Sequence, residues 1–285
     1  MLLFISIFFV LLPKIIRDTK PMDSTVLLII DPQNDFCNRQ GTLYVPGAET
    51  DISRLAAFIR RHGVRIDGIV LTADDHMPND ISHPSFWKDE QGSNPAPFSV
   101  IRLQDILSGK YTTTASADAI IATNYIGRLE AEHKTHTIWP QHCVSGTWGA
   151  GIDDTLLGTI IGWTHGTNKH YQIVRKGWYP YTEHFGAFAA EVAYPMVEST
   201  LFNAPLAREL NNYTQILIAG EAKSHCVNNT IKQMIAKAPE LVAKLYILED
   251  AMSPVTGFEQ LSDETFAKAC ELGARITDTT TFWAN

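Results

Sequence analysis

Residues 215–231 read QILIAGEAKSHCVNNTI. QILIAG is an apolar run of strand length that ends in glycine. From Val227 the spacing changes, and Val227, Ile231, Met234 and Ile235 mark one face of a helix. The residues between them form a turn that leaves Cys226 at the mouth of that helix. A strand feeding a helix through a short turn is the repeating unit of a sheet with parallel strands. A sulfur so placed should meet the positive end of the helix, which lowers a thiol pKa and offers backbone N–H groups to a developing oxyanion. A cysteine taken at random is more often a small buried apolar residue; the turn position sets Cys226 apart.

The same alternation runs outward in both directions. TVLLIID, ending at Asp31, is a buried-strand run. Ile52, Leu55, Ala56 and Ile59 then repeat at helical spacing as far as Gly63, which can close a helix in a left-handed conformation. GIVLTA is the second strand and stops just before Asp74. Ile121, Tyr125 and Leu129 mark a further helix, and THTIW leads into a third strand. HYQIV, QILIAG and LYILED supply the fourth, fifth and sixth, and residues 258–272 read as a last helix before ARITD. The expected fold is a single α/β domain over residues 23–285, a mostly parallel six-stranded sheet with helices on both faces in a Rossmann-like three-layer arrangement. It carries an insertion at about 84–116, whose SFWKDEQGSNPAPFS composition is that of a loop.

In open parallel sheets, ligands collect beyond the carboxyl ends of the strands. The strands read here end in Asp31, in Asp74, in Trp139 to His142, in Lys176 and in the turn to Cys226, so acids, a lysine, histidines and a cysteine converge on one rim. Asp74 and His76 lie two apart, with His83 and His142 able to close a cluster. One carboxylate with two or three imidazoles suits Zn²⁺, Fe²⁺ or Mn²⁺ better than Ca²⁺ or Mg²⁺. On its own the Asp-x-His pattern is weak, since polar loops hold satisfied histidines more often than metals.

Composition bounds the partners. With 45% hydrophobic residues, 19% charged and a net charge of −8, the chain has neither the signature of disorder nor the clustered cations that neutralise phosphates, so nucleic acid is not an expected partner. Cys37, Cys143, Cys226 and Cys270 lack paired metal-ribbon spacing and disulfide-scaffold density, which favours reduced thiols and a cytoplasmic setting. The first twelve residues, MLLFISIFFVLL, are too short to span a bilayer comfortably, and no basic residue precedes them. Residues 1–22 are therefore read as an extension outside the fold. Export or membrane anchoring stays open, with membrane association only if this segment is retained; homo-oligomerisation is left open too.

Five short motifs give the chain its resemblance: DPQNDFC at 31–37, DDHMP at 74–78, WPQHCVSGTWGA at 139–150, RKG at 175–177 and GEAKSHCV at 220–227. In order and spacing they resemble the nicotinamidase branch of the isochorismatase-like cysteine hydrolases. The resemblance implies hydrolysis of a small amide, nicotinamide to nicotinate and ammonia, through a cysteine acyl-enzyme. It implies that Asp31 takes the thiol proton, that Lys176 holds the charge balance and that Cys226 attacks the amide carbon. It further implies a cis peptide between Glu221 and Ala222 that helps aim the N–H groups of Ala222 and Cys226 at the oxyanion. Asp74, His76 and His142 match the family's metal ligands, His83 looks like a further ligand used by some members, and Phe36 and Trp139 match aromatic residues that sandwich the substrate ring.

About 55 residues separate His83 from Trp139, more than in compact nicotinamidases. The nearest rival is an amidase of the same superfamily acting on another small amide or ureido compound; such enzymes generally lack the metal set. An isochorismatase proper does not need this thiol and metal combination, and a catalytically silent binding module would usually have lost a member of the triad. A papain-type protease would place its cysteine near the mature N-terminus.

Overall fold

A computed structural model describes residues 24–284. Residues 1–22, read above as an extension, lie outside the described residues. Six strands form one sheet: β1 (Thr25–Ile30), β2 (Gly68–Asp74), β3 (Tyr171–Lys176), β4 (Gln215–Gly220), β5 (Leu245–Leu248) and β6 (Arg275–Thr277). Their order is β6-β5-β4-β1-β2-β3, and every pairing is parallel.

Both faces of this sheet are covered, which is why its central strands are near-continuous apolar runs. Along β1, Val26, Leu28 and Ile30 enter one core while Leu27 and Ile29 enter the other. Helices α1 (Ala48–His62) and α3 (Asp154–Thr167) pack on the second face; α4 (Ala204–Asn211), α5 (Asn228–Lys237) and α6 (Asp263–Glu271) pack on the first. Helix α2 (Ala119–Ala131) belongs to a third, smaller core with Ile81, Phe86, Trp87 and Ile138. Each fully buried aliphatic side chain contributes about 1.5–3 kcal/mol. Among the described residues, no helix is long and apolar enough to cross a membrane.

The expected six-stranded parallel sheet is found, with one exchange of members. THTIW does not join it: only His136–Thr137 is extended, and it pairs antiparallel with Val100–Ile101 above the third core. The sixth place goes to β6, within ARITD. The segment at 84–116 is more ordered than its composition implies. Trp87–Asp89 pairs antiparallel with Tyr111–Thr113, and Leu103–Leu107 is helical. Gly63 has φ −54°, so α1 tightens into a short 3-10 turn instead of ending left-handed. The last helix begins at Asp263, five residues later than expected from 258.

Helix α3 received no sequence assignment because Gly158, Gly162 and Gly166 each cost about 1 kcal/mol of helix propensity. Burial of Leu156, Ile160 and Trp163 outweighs that cost, and the Asp153 carboxylate caps the start by accepting the N–H groups of Thr155 and Leu156.

From β1 the chain builds outward through β2 and β3, then returns to β4 on the other side of β1. The order reverses between β1 and β4, and a crevice opens at such a point beyond the strand ends. Gly220 closes β4 there with φ +105°, and a Cβ on it would lie 2.1 Å from the Ile30 carbonyl oxygen, a contact only glycine permits.

Candidate active site

Three neighbouring strands deliver the charged groups. Asp31 follows β1 directly and adopts φ +41°. Its backbone N–H donates to Thr72 Oγ1 at 3.0 Å, and that hydroxyl in turn donates to Asp31 Oδ1 at 2.5 Å. Asp74 ends β2 and Lys176 ends β3, paired in register. The Gln33 side-chain amide holds Asp74 by both backbone groups, accepting its N–H and donating to its carbonyl, each at 2.7 Å.

The Lys176 ammonium is the centre of the constellation. Nζ lies 2.9 Å from Asp31 Oδ2, 2.5 Å from Asp74 Oδ1, 3.7 Å from Cys226 Sγ and 3.0 Å from the His184 carbonyl oxygen. Lys176 is only 2% exposed, so these contacts replace its water shell. Cys226 occupies a π-helical turn, Lys223–Val227, that runs into α5; Ala222 precedes it, and the Glu221–Ala222 peptide is cis.

Burial raises the Asp31 carboxyl, Lys176 opposes this, and the result is a value of about 6. Burial would raise Asp74 as well, but Lys176, with His76 and His142 nearby, outweighs it and leaves Asp74 below the usual carboxylate range. The expectation for Cys226 is reversed: burial pushes its thiol well above the ordinary value, and Lys176 offsets this only in part. A neutral thiol therefore sits beside an ionised Asp31, a carboxylate placed where it could take the thiol proton.

On the other side of Asp74, His76, His83 and His142 present ring nitrogens that all lie within 4.8 Å of one another. Asp74 Oδ2 is 3.9 Å from His76 Nε2. His76 Nε2 and His83 Nδ1 are buried without a hydrogen-bond partner. His142 Nδ1 contacts the Pro140 carbonyl at 2.8 Å, which leaves Nε2 for another partner. Burial first, then neighbouring imidazoles, lowers His83 to about 2 and His142 to about 4, so both are neutral donors. Burial acts to lower His76 too, but Asp80, Asp74 and Glu183 raise it to about 9. Orphaned nitrogens converging beside a carboxylate fit a divalent ion. The neighbouring group of Asp31, Asp74 and Cys226 already surrounds a cation, the Lys176 ammonium.

Phe36, Trp139, Ala222, Cys226, Asp74 and His142 line one cavity. Phe36 sits 5.4 Å, centroid to centroid, from the His142 ring, and Trp139 sits 5.0 Å from His225. Phe98, from the 84–116 segment, meets Trp139 edge-on at 5.9 Å, so that segment reaches the cavity wall. The free volume is about 30 Å³, and Leu43, Val45, Phe185 and Val255 also line the cavity.

Of the residues singled out in the sequence, Phe36, Asp74, Trp139, His142, Ala222 and Cys226 line this cavity; Lys176 contacts Asp74 and Cys226, Asp31 contacts Lys176, His76 and His83 lie against His142, and the Glu221 side chain turns away toward Ser253. Sequence reasoning missed four supporting residues. Asp80 Oδ2 lies 3.2 Å from His76 Nδ1 and orients that ring. Asp35 accepts the Cys143 N–H at 2.7 Å and so anchors the loop that carries His142. Thr72 holds Asp31, and Glu183 lines the cavity, raised by burial to about 7. Asp35 lay inside a quoted motif, and Asp80 stands four residues after His76; the other two carried no local signal.

No protein-family model matches the chain. Over 230 residues it is 25% identical to the nicotinamidase of Saccharomyces cerevisiae, covering 81% of this chain and 88% of the yeast protein. The solved structure of the yeast nicotinamidase bound to the inhibitor nicotinaldehyde superposes with a TM-score of 0.61 at 21% identity, covering 89% of this chain and 99% of the other. The pyrazinamidase of Pyrococcus horikoshii in complex with zinc gives 0.51 at 20% identity, covering 90% and 99%. These structural likenesses establish a shared fold, and the comparisons fall in the branch that the sequence motifs resemble.

Proposed function

We propose that this chain is a nicotinamidase-type cysteine amidohydrolase, converting nicotinamide to nicotinate and ammonia. The observation that carries the reading is the Lys176 ammonium in simultaneous contact with Asp31, Asp74 and Cys226, beside a buried three-histidine cluster.

Asp31 accepts the Cys226 proton, and Lys176 balances the thiolate as it attacks the amide carbon. The carbonyl oxygen becomes an oxyanion, met by the N–H groups of Ala222 and Cys226. Asp31 returns its proton to the nitrogen, the C–N bond breaks, and ammonia leaves a thioester on Cys226. Water then gives a proton to Asp31 and adds to the thioester, the C–S bond breaks, and the thiol is restored by that proton as the acid departs. Phe36 and Trp139 hold the ring from either side. His76, His83 and His142 with Asp74 would hold a divalent ion, Zn²⁺, Fe²⁺ or Mn²⁺, which supplies Lewis-acid binding of the pyridine nitrogen and so orients the ring. The 84–116 segment, read as an insertion, contributes Phe98 to the wall behind Trp139 and so narrows the range of rings accepted.

Ammonia release from nicotinamide, measured against a panel of small carboxamides and ureido compounds with and without chelator, tests this. Turnover of nicotinamide at least about tenfold above the panel, lost on chelation, is expected. Turnover of ureido compounds without nicotinamide would replace the substrate assignment, and no turnover of any amide would end the enzymatic reading.

A further inference from the structure

The mechanism makes no use of the Glu221 side chain, although Glu221 is fully buried one residue before Ala222. Its backbone N–H donates to the Ile30 carbonyl at 2.8 Å, next to Asp31. Its carboxyl turns the other way and accepts the Ser253 N–H on Oε2 at 3.2 Å. The Ser253 hydroxyl donates to Asp51 Oδ2 at 2.5 Å, and the Ser253 carbonyl accepts the Lys223 N–H at 2.8 Å. One serine thus holds the turn on both sides of Ala222. Among the described residues no hydrogen-bond partner reaches Glu221 Oε1, and Asp51 on α1, which Ser253 joins to Glu221, is itself only 3% exposed. Burial first, then the nearby Asp51 carboxyl, raises Glu221 well above the usual carboxylate range.

We propose that Asp51, Glu221 and Ser253 form a positioning triad, linked through the Ser253 backbone and hydroxyl, that fixes the turn presenting the oxyanion-binding N–H groups of Ala222 and Cys226. The inference rests on the amide-hydrolase reading above. None of the three residues touches the reacting atoms. The triad ties the turn to α1, to the end of β1 and to the loop whose Val255 lines the cavity. Displacing oxyanion donors by a fraction of an ångström lowers the rate of the chemical step and leaves ring binding largely intact.

The test compares Glu221→Ala, Glu221→Gln, Asp51→Ala and Ser253→Ala for nicotinamide turnover, for nicotinaldehyde affinity and for the rate of Cys226 alkylation by iodoacetamide. Thiolate addition to the aldehyde places an oxyanion where the amide intermediate has one, whereas alkylation develops none. Expected for Glu221→Ala and Asp51→Ala is a fall in kcat of about 10- to 100-fold with KM changed less than about threefold. Aldehyde affinity should fall in step, with alkylation within about twofold of wild type. Glu221→Gln retains an acceptor for the Ser253 N–H, and should recover at least about tenfold of what Ala loses. Ser253→Ala keeps the backbone bonds and removes only the bond to Asp51, so it reads the same split if the other variants fail to fold. Alkylation falling in step with kcat, or Gln no better than Ala, would overturn the proposal. A wild-type protein that alkylates but turns over no amide would instead refute the functional reading, before any variant is compared.

Discussion

Replacing Lys176 by Met removes the ammonium and keeps an unbranched stem of similar length. Asp31 and Asp74, 0% and 5% exposed, would then share a dry site without their counter-ion. Breaking a buried ion pair from one side costs about 3–5 kcal/mol, and buried carboxylates escape part of that cost by taking up protons. Asp31 stands at about 6 with the ammonium 2.9 Å away. An opposite charge at this range holds a carboxyl down by about 1–3 units, so its removal lifts Asp31 to roughly 7–9. The base works only when ionised, so activity is present above this pKa and is lost as pH falls through it. At about pH 7 the ionised fraction falls from roughly nine-tenths to one-tenth or so, about a tenfold loss. The larger share, bringing the total to about 10³–10⁴, comes from the unbalanced thiolate and does not return at high pH. Ammonia release across about pH 5 to 9.5 separates the two, because the acid limb of kcat/KM should move from near 6 to higher pH while the plateau stays depressed. Denaturant unfolding gives a second reading: the stability deficit should be largest near neutrality and shrink toward about pH 4, where protonated carboxyls no longer need the cation. A limb that stays near 6, with less than tenfold loss of activity, would refute the charge-balancing role of Lys176.

Cys226→Ala should abolish nicotinamide hydrolysis with the unfolding midpoint nearly unchanged, and Ser or Ala at Cys37, Cys143 or Cys270 should be far better tolerated; a tenth of wild-type activity in purified Cys226→Ala would exclude the covalent route. Asp31→Asn should lose several orders of magnitude in rate, non-additively with Cys226→Ala, because both act on one proton transfer. His76→Ala and chelation should each remove bound metal and nicotinamide turnover together, measured by metal analysis and ammonia release on the same sample, and full turnover by metal-free protein would sink the metal assignment. Asp80→Asn should weaken metal affinity about 10- to 100-fold, read by competition with a chromophoric chelator, since Asp80 orients His76.

The α/β class was legible because strands buried on both faces read as near-continuous apolar runs, as TVLLII and QILIAG do after their first residue, and because helical spacing returns between them. The same rule misread two segments. THTIW has strand composition, but its partner is Val100–Ile101, a pairing fixed by the third core and not by the strand's own residues. Helix α3 is hidden by its glycines and exists because Leu156, Ile160 and Trp163 find a core to enter.

In the site, the sequence alone determined which chemistry-bearing residues stand at strand ends, since a parallel sheet delivers every strand's carboxyl end to one rim. Asp31, Asp74, Lys176 and Cys226 could be chosen on that ground, and the histidines by motif. Distances and protonation were decided only in three dimensions. That Lys176 reaches Asp31, Asp74 and Cys226 at once follows from β2 lying between β1 and β3, with β4 on the other side of β1. That the thiol is raised where the helix mouth suggested lowering follows from the depth of burial, a property of the whole packed chain. The Ser253 link between Asp51 and Glu221 is the extreme case, because residues 170 positions apart carry no mutual signal until folding excludes water from both. Local order is written in near neighbours, whereas desolvation and ion pairing depend on which distant groups the fold brings to the same dry place.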